Sequence, residues 1–152
     1  MRKSYIYGMD SPIGPLTLTA SSKGLISIEF KRSLLKQECE ILIKTKFELV
    51  QYFQGKLKKF SIKLDLNGTE FQKKCWLELK KISYGKTISY KEEAIKVGGA
   101  NYSRAVAGAN NKNSVPIIVP CHRVIGSDGS LVGYAGGLKI KQYLIDLESA
   151  NR

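Results

Sequence analysis

One apolar segment constrains this chain more than any other. Residues 115–119 read Val-Pro-Ile-Ile-Val, which is the composition of a buried strand, and the run stops at Pro120. Cys121 follows at once, and His122 beside it is the only histidine of the chain. We therefore predict a buried strand over 115–119 that ends abruptly and holds a thiol rigidly next to an imidazole.

The Cys-His pair suggests nucleophilic chemistry, because a thiol reacts as thiolate and a nearby imidazole commonly generates one. Adjacent strand residues point to opposite faces, so Cys121 and His122 would need a turn or a bridging water. A simpler reading is a small core cysteine beside a polar histidine. Zinc binding by Cys39, Cys75, Cys121 and His122 is disfavoured, since no Cys-x-x-Cys pair is present.

Size and composition indicate an ordinary globular protein. The 152 residues suffice for one domain or two small ones, and 43% hydrophobic with 25% charged residues is typical. The sequence shows no apolar run of membrane-spanning length and no signal-peptide core. Its three widely spaced cysteines do not resemble a disulfide framework, so we expect a reducing, cytoplasmic setting.

The charge is strongly one-sided, with a formal net value of +12. Between residues 94 and 127 there is no Asp or Glu, whereas Lys96, Arg104, Lys112 and Arg123 are basic. A merely lysine-rich surface would explain scattered charge, but an acid-free window around the Cys-His pair favours a polyanionic partner. Nucleic acid is the first expectation.

The first half of the chain predicts a small antiparallel sheet with a helix. Alternating apolar residues predict three strands, at 4–9, 16–20 and 24–30, joined by turn-rich links into a meander. Helical spacing of apolar residues follows over 33–53, with a break expected near Thr45. The lysine-rich stretch 55–67 is expected to contain a linker.

The second half predicts mainly helices. Thr69-x-x-Gln72 and Ser89-x-x-Glu92 are capping boxes, and the helix after Ser89 should end at the Gly98-Gly99 pair. A further helix over 101–111 completes a helix-turn-helix pattern, and 138–148 reads as a final helix. The predicted class is α+β, with an N-terminal α/β domain at 1–66 and a mainly helical domain at 67–152.

Several stretches of the second half match one family pattern. They are 87–90 (Thr-Ile-Ser-Tyr), 103–106 (Ser-Arg-Ala-Val), 113–119 (Asn-Ser-Val-Pro-Ile-Ile-Val), 120–124 (Pro-Cys-His-Arg-Val), 133–138 (Gly-Tyr-Ala-Gly-Gly-Leu) and Leu147-Glu148. Together they resemble the O6-alkylguanine-DNA alkyltransferases, also called methylated-DNA–protein-cysteine methyltransferases. The resemblance spans about residues 68–148, whereas 1–66 match only loosely.

The resemblance implies a single-turnover transfer of the alkyl group from guanine O6, with O4 of alkylated thymine left open as a second substrate. Cys121 would be the acceptor and would remain alkylated. Glu148 would orient His122, which reaches the thiol through a water. Tyr90 would donate to the guanine ring, and Asn113 would hold the turn that carries the Cys-His pair. No metal and no cofactor is implied.

The resemblance also implies the partner, double-stranded DNA carrying O6-alkylguanine, bound by a monomer without any membrane association. Arg104 would fill the gap left by the flipped guanine, with the recognition helix in the minor groove. The other DNA contacts implied are Tyr102, Ser103, Ala105, Gly108 and Arg123. The substrate pocket implied consists of Tyr134, Ala135 and Lys141. Ala135 stands where many members of the family have serine.

Two other functions stay open at the level of the sequence. A thiol hydrolase would turn over at Cys121, but such enzymes usually separate Cys and His widely in sequence. A lesion-sensing helix-turn-helix module would bind DNA without any covalent change.

Overall fold

The computed structural model describes residues 3–152 and divides into two compact units, one ending at Asn67 and the other running Gly68–Arg152. The first unit is built on three antiparallel strands in the order β1-β2-β3. They are β1 (Ser4–Met9), β2 (Leu16–Ser21) and β3 (Leu25–Glu29). The predicted meander is thus confirmed to within one residue at each strand end.

Helix α1 (Glu40–Phe53) buries Leu42, Leu49 and Tyr52 completely. It is shorter than expected, because residues 33–37 run along the free edge of β1. Gly8 N–H donates to Leu35 O at 2.8 Å, and Gln37 N–H donates to Ile6 O at 2.9 Å. An unpaired strand edge offers these partners, and the apolar spacing alone did not reveal it.

The break expected near Thr45 is absent, because α1 is continuous through that residue. Thr45 Oγ1 donates to Ile41 O at 2.7 Å, one turn earlier, so its hydroxyl is satisfied inside the helix. The stretch expected to contain a linker is also partly ordered. Leu25 N–H donates to Lys63 O and Asp65 N–H donates to Leu25 O, each at 2.8 Å, so this segment pairs with β3.

The second unit is mainly helical, as predicted. It contains α2 (Glu70–Leu79), α3 (Tyr90–Val97), α4 (Ser103–Asn111) and α5 (Leu138–Ala150), with 3-10 turns at Ala100–Tyr102 and Cys121–Arg123. Both capping boxes form, at Thr69 with Gln72 and at Ser89 with Glu92. No helix in the described part of the chain is long and apolar enough to cross a membrane.

Helices α2, α3 and α4 pack around one apolar cluster that includes Cys75, Ala94, Val97 and Val106. Cys75 is fully buried there. Trp76 Nε1–H donates to Ala109 O at 2.9 Å and so ties α2 to α4. This core holds the helix-turn-helix formed by α3 and α4.

The strand predicted over 115–119 is wrong. The segment is buried, but it folds back on itself: Val119 N–H donates to Val115 O at 3.0 Å, and Ile117 has φ 76°. Prolines at 116 and 120 remove two backbone donors from any ladder, which favours a turn. A left-handed, β-branched Ile117 is strained, so the surrounding structure must impose it.

Candidate active site

A two-residue parallel pairing brings the site together. Strand β4 (Ile88–Ser89) pairs with β5 (Val124–Ile125), as Ile88 with Val124 and Ser89 with Ile125. Tyr90, the first residue of α3, follows β4 directly, and the Cys121–Arg123 turn directly precedes β5. The pairing therefore fixes Tyr90 near Cys121, which lies 31 positions later in the chain.

Asn113 closes the turn in front of the thiol. Its Nδ2 donates to Val119 O at 2.7 Å, and its Oδ1 accepts from Val115 N–H at 3.0 Å. Asn113 is buried, so both ends of one amide satisfy backbone groups that lack a ladder partner. Cys121 and His122 then lie in a 3-10 turn, which supplies the turn that an adjacent Cys-His pair requires.

His122 is fully buried and pairs with Glu148 of α5. The distance from His122 Nε2 to Glu148 Oε2 is 2.6 Å. Burial lowers the pKa of His122, although the hydrogen bond and charge of Glu148 oppose the effect. A ring that is neutral and donates from Nε2 leaves Nδ1 as an acceptor. His122 Nδ1 makes no hydrogen bond to any described protein atom.

Arg123 completes this buried network and is not a surface residue. Its Nε and Nη2 donate to the two oxygens of Glu148 at 2.8 and 3.0 Å, and its Nη1 donates to Ile82 O at 2.7 Å. Burial would raise the pKa of Glu148, but the hydrogen bonds from His122 and Arg123 outweigh it and hold the pKa below its usual range. These bonds and its 7% exposure leave Arg123 little surface for the DNA contact that the resemblance implies.

Cys121 is buried, with 9% of its surface exposed. Burial raises its pKa to about 11, while a hydrogen bond from Asn113 and the charge of Lys141 pull it down. The resting group is therefore a thiol, and it needs a base to react. The neutral His122 beside it is the candidate base.

Lys141 is fully buried on α5. Its Nζ donates to Val132 O at 3.1 Å, to Gly133 O at 3.3 Å and to Tyr90 Oη at 3.4 Å. Burial lowers the pKa of Lys141, against the influence of Cys121. Lys141 is therefore not a solvated lysine on an exposed helix face.

Tyr90 shares this cluster. Its Oη donates to Val132 O at 2.8 Å, and burial raises its pKa to about 12, so the phenol keeps its proton. Tyr90 and Cys121 line one small cavity together with Asn110, Asn111, Gly133, Tyr134 and Ala135. Two of the predicted pocket residues, Tyr134 and Ala135, line this cavity with Cys121, whereas Lys141 is not among its lining residues. Burial raises the pKa of Tyr134 well above its usual value.

The residues predicted to bind DNA lie on one helix end, Arg123 excepted. Tyr102, Arg104, Ala105 and Gly108 are exposed, and Ser103 is half-buried. Nothing described lies within 4 Å of a Cβ at Gly108, so that face is open to close approach. Tyr102 stacks against Phe71 of α2, with ring centroids 6.0 Å apart.

Sequence reasoning missed the backbone acceptor at Val132 and the pocket position of Asn110. Nothing in the sequence indicates the first, because any residue has a carbonyl. The second had a signal, the polar pair Asn110-Asn111 at the end of α4. No group of three or more His, Cys, Asp or Glu suited to a metal occurs among residues 3–152.

A buried thiol, an imidazole–carboxylate pair and a helix-turn-helix define a class of protein, DNA-binding proteins with an activated cysteine. The chain belongs to the 6-O-methylguanine DNA methyltransferase family. The model of that family's DNA binding domain matches residues 70–150, and the model of its ribonuclease-like domain matches residues 1–66.

Individual relatives agree with this assignment. The chain is 46% identical over 153 residues to the methylated-DNA–protein-cysteine methyltransferase of Methanosarcina barkeri, which covers 94% of this chain and 96% of the relative. It is 44% identical to that of Mycobacterium leprae, over 92% and 89% of the two chains.

Solved structures are similar as well. The O6-methylguanine methyltransferase of Mycobacterium tuberculosis has a TM-score of 0.89 at 38% identity and covers 99% of this chain and 95% of that one. A complex of the M. tuberculosis protein with DNA has a TM-score of 0.88 at 40% identity, over 97% and 94%.

Proposed function

We propose that this chain is a DNA repair protein that transfers an alkyl group from O6 of guanine in DNA to Sγ of its own Cys121. The observation that carries the proposal is the placement of Cys121 in a small cavity, between the His122–Glu148 pair and Tyr90. Membership of the family supports the same reaction. The thioether product is stable, so each molecule acts once.

The first step removes the proton from the thiol. His122 Nδ1 accepts it through a bridging water, and Glu148 stabilises the resulting imidazolium. Arg123 fixes both oxygens of that carboxylate, so Glu148 holds the ring in one orientation. The thiolate then attacks the alkyl carbon: an Sγ–C bond forms as the C–O6 bond breaks.

The second requirement is a stabilised leaving group. Negative charge spreads from O6 into the guanine ring as the bond breaks. The Tyr90 hydroxyl has a single proton, which it donates to Val132 O in the substrate-free protein, so the hydroxyl must turn from that carbonyl to donate to the ring. Lys141 supports this hydroxyl and favours the thiolate by its charge. The proton taken from the thiol passes to the guanine ring. Unmodified guanine therefore remains in the DNA.

DNA binding places the lesion at the cavity. A base inside a duplex cannot reach a buried thiol, so the guanine must be flipped out, and Arg104 at the start of α4 would fill the gap. Exposed Tyr102 and Ala105 flank Arg104, while Ser103 and Gly108 complete the contact face. Small residues on α4 allow it to enter the minor groove closely.

Substrate range and setting belong to the same proposal. Tyr134 and Ala135 line the pocket, and a backbone N–H at Ala135 would serve O6 where other members of the family carry serine. O4 of alkylated thymine is a second substrate to be tested. The free thiols of Cys39, Cys75 and Cys121 suit a monomer in the reducing cytoplasm.

The deciding experiment is an intact mass of the protein after incubation with an oligonucleotide duplex that contains O6-methylguanine. We expect a gain of one methyl group per molecule, mapped by peptide analysis to Cys121 and absent from the Cys121→Ala variant, which should still bind DNA. Methyl on Cys39 or Cys75 would contradict the assignment. Many equivalents of repaired DNA per protein would indicate a hydrolase, and binding without any mass change would indicate a lesion-sensing module.

A further inference from the structure

Glu93 is a buried acid that the reaction described above does not use. It lies on α3, three residues after Tyr90, and none of its surface is exposed. Its Oε1 accepts a hydrogen bond from Asn110 Nδ2 of α4 at 2.8 Å. A buried ionised carboxylate normally requires a cation or several donors, and Asn110 supplies one donor.

Two acceptors of this pair have no donor. Neither Glu93 Oε2 nor Asn110 Oδ1 has a hydrogen-bond partner among the described residues, and both atoms are buried. A neutral carboxyl and an amide satisfy each other with two hydrogen bonds, N–H to C=O and O–H to the amide oxygen. One proton on Glu93 therefore supplies the donor that both orphaned oxygens lack.

The surroundings favour that proton. Burial raises the pKa of Glu93 to about 7; the hydrogen bond from Asn110 opposes the shift, the charge of Glu78 on α2 adds to it, and that of Lys96 opposes it. The other titratable groups of the elements packed on α3 are Glu70, Lys73, Lys74 and Cys75 on α2, the exposed Arg104 on α4 and Tyr102 in the 3-10 turn. Strands β4 and β5 contribute none.

The pair stands directly behind the pocket. Asn110 lines the cavity that also contains Cys121 and Tyr90. A negative charge on Glu93 raises the pKa of Cys121 and of Tyr90, although burial dominates at both residues. An ionised Glu93 therefore opposes formation of the thiolate, and it leaves Asn110 held by a single hydrogen bond.

We propose that Glu93 and Asn110 form a proton-linked positioning pair for the alkyl transfer. The protonated pair fixes Asn110 at the cavity wall and keeps negative charge away from the developing thiolate. Loss of the proton weakens both effects and slows the transfer. This inference rests on the proposed function, and Glu93 acts through Asn110 and through its charge without touching the substrate.

The main test is the pH dependence of alkyl transfer from free O6-benzylguanine, which avoids any contribution from DNA binding. Glu93→Gln keeps both hydrogen bonds to Asn110 and carries no charge, so it mimics the protonated pair. We expect equal rates for the two proteins near pH 5.5. Above pH 8 the variant should be faster by about threefold to tenfold, the scale of one partly screened charge acting on a nearby ionisation.

The matched control is Glu92→Gln, which removes an exposed carboxylate one residue away. Glutamine also completes a capping box, so the helix start survives. This control should show the wild-type pH profile. Parallel profiles for wild type and Glu93→Gln would overturn the inference while leaving the proposed function intact. No transfer from O6-methylguanine in duplex DNA to wild-type Cys121 at any pH would instead refute the proposed function.

A second measurement does not depend on the reaction. The folded protein holds the Glu93 proton up to a higher pH than the unfolded chain does, so its contribution to stability is complete below about pH 4.5 and is lost as the pH rises through about 7. The melting temperature of Glu93→Gln relative to wild type should therefore increase from pH 5 to pH 9. A constant difference over that range would overturn the inference even if no transfer were observed.

Discussion

At the scale of single residues, the active site depends on buried polar side chains that satisfy one another. Tyr90 Oη donates to the Val132 carbonyl and accepts a hydrogen bond from Lys141 Nζ. The hydroxyl oxygen is therefore held in place before any substrate arrives. The single hydroxyl proton must turn from the Val132 carbonyl to reach the guanine, while the contact with Lys141 keeps the oxygen in place. The Tyr90 hydroxyl should matter to the rate more than to the fold.

Replacing Tyr90 by Phe tests this directly. We expect the transfer rate to fall about 10²- to 10³-fold, the usual cost of losing one donor that acts in the transition state. DNA affinity should change little. Tyr143→Phe, which alters a partly exposed tyrosine on α5, is the matched control and should leave the rate unchanged. An unaltered rate in Tyr90→Phe would reassign Tyr90 to packing.

Arg123 offers a second prediction at this scale, because it was expected on the DNA-binding surface and is buried in the structure. Arg123→Lys keeps the charge but loses the two-pronged contact with Glu148. We expect the free energy of unfolding to drop by about 1–3 kcal/mol, since buried acceptors lose donors. The salt dependence of DNA binding should not change. A smaller slope of log affinity against log salt would restore Arg123 to the DNA contacts.

At the scale of elements, the side-chain amide of Asn113 closes the 113–119 turn. Replacing this amide by a carboxylate should open the turn. Asn113→Asp keeps the acceptor for Val115 N–H but sets a carboxylate against Val119 O. We expect a loss of about 1–3 kcal/mol in unfolding free energy, measured by denaturant titration. Transfer should also slow, because a negative charge beside Cys121 disfavours the thiolate.

The matched control for that change is Asn151→Asp. Asn151 Nδ2 also donates to a backbone carbonyl, Leu147 O, at 2.8 Å, but at the partly exposed end of α5. Water can replace the lost partner there, so the cost should be a few tenths of a kcal/mol. Equal losses in the two variants would mean that the active-site turn is held by something other than Asn113.

Helix α4 carries the other prediction at this scale. Arg104→Ala should slow repair of O6-methylguanine in duplex DNA far more than reaction with free O6-benzylguanine, because only the duplex requires base flipping. Lys112→Ala, which removes an exposed charge at the other end of α4, should weaken DNA binding slightly without this selectivity. Equal losses on both substrates in Arg104→Ala would remove its role in flipping.

At the scale of the whole molecule, alkylation should destabilise the fold. Cys121 is 9% exposed, and an added group must fit among packed side chains. Overpacking costs about 1–3 kcal/mol, which corresponds to a decrease of several degrees in melting temperature. Benzyl should lower it more than methyl, as differential scanning calorimetry on fully alkylated protein would show. An unchanged or raised melting temperature would mean that the cavity has room to spare.

Local signals in the sequence predicted much of the fold. A capping box acts over three residues, so the starts of α2 and α3 were predicted at Thr69 and Ser89, where they occur. Strand alternation is also local, and β1 lies at 4–9 as expected. The Cys121-His122 pair was identified by its adjacency after an apolar run, Glu148 was identified through the family pattern, and the structure places His122 against Glu148.

Other features depended on partners far away in sequence. Residues 33–37 have helical spacing but follow the open edge of β1, and 115–119 looks like a strand but turns back under Asn113. Arg123 has the positive charge expected of a residue that contacts DNA, yet it pairs with Glu148, 25 positions away. By itself the sequence determined where the two capped helices α2 and α3 start and which side chains are chemically able to react. The tertiary structure decided which of them are buried together, because burial and pairing depend on contacts that no local pattern encodes.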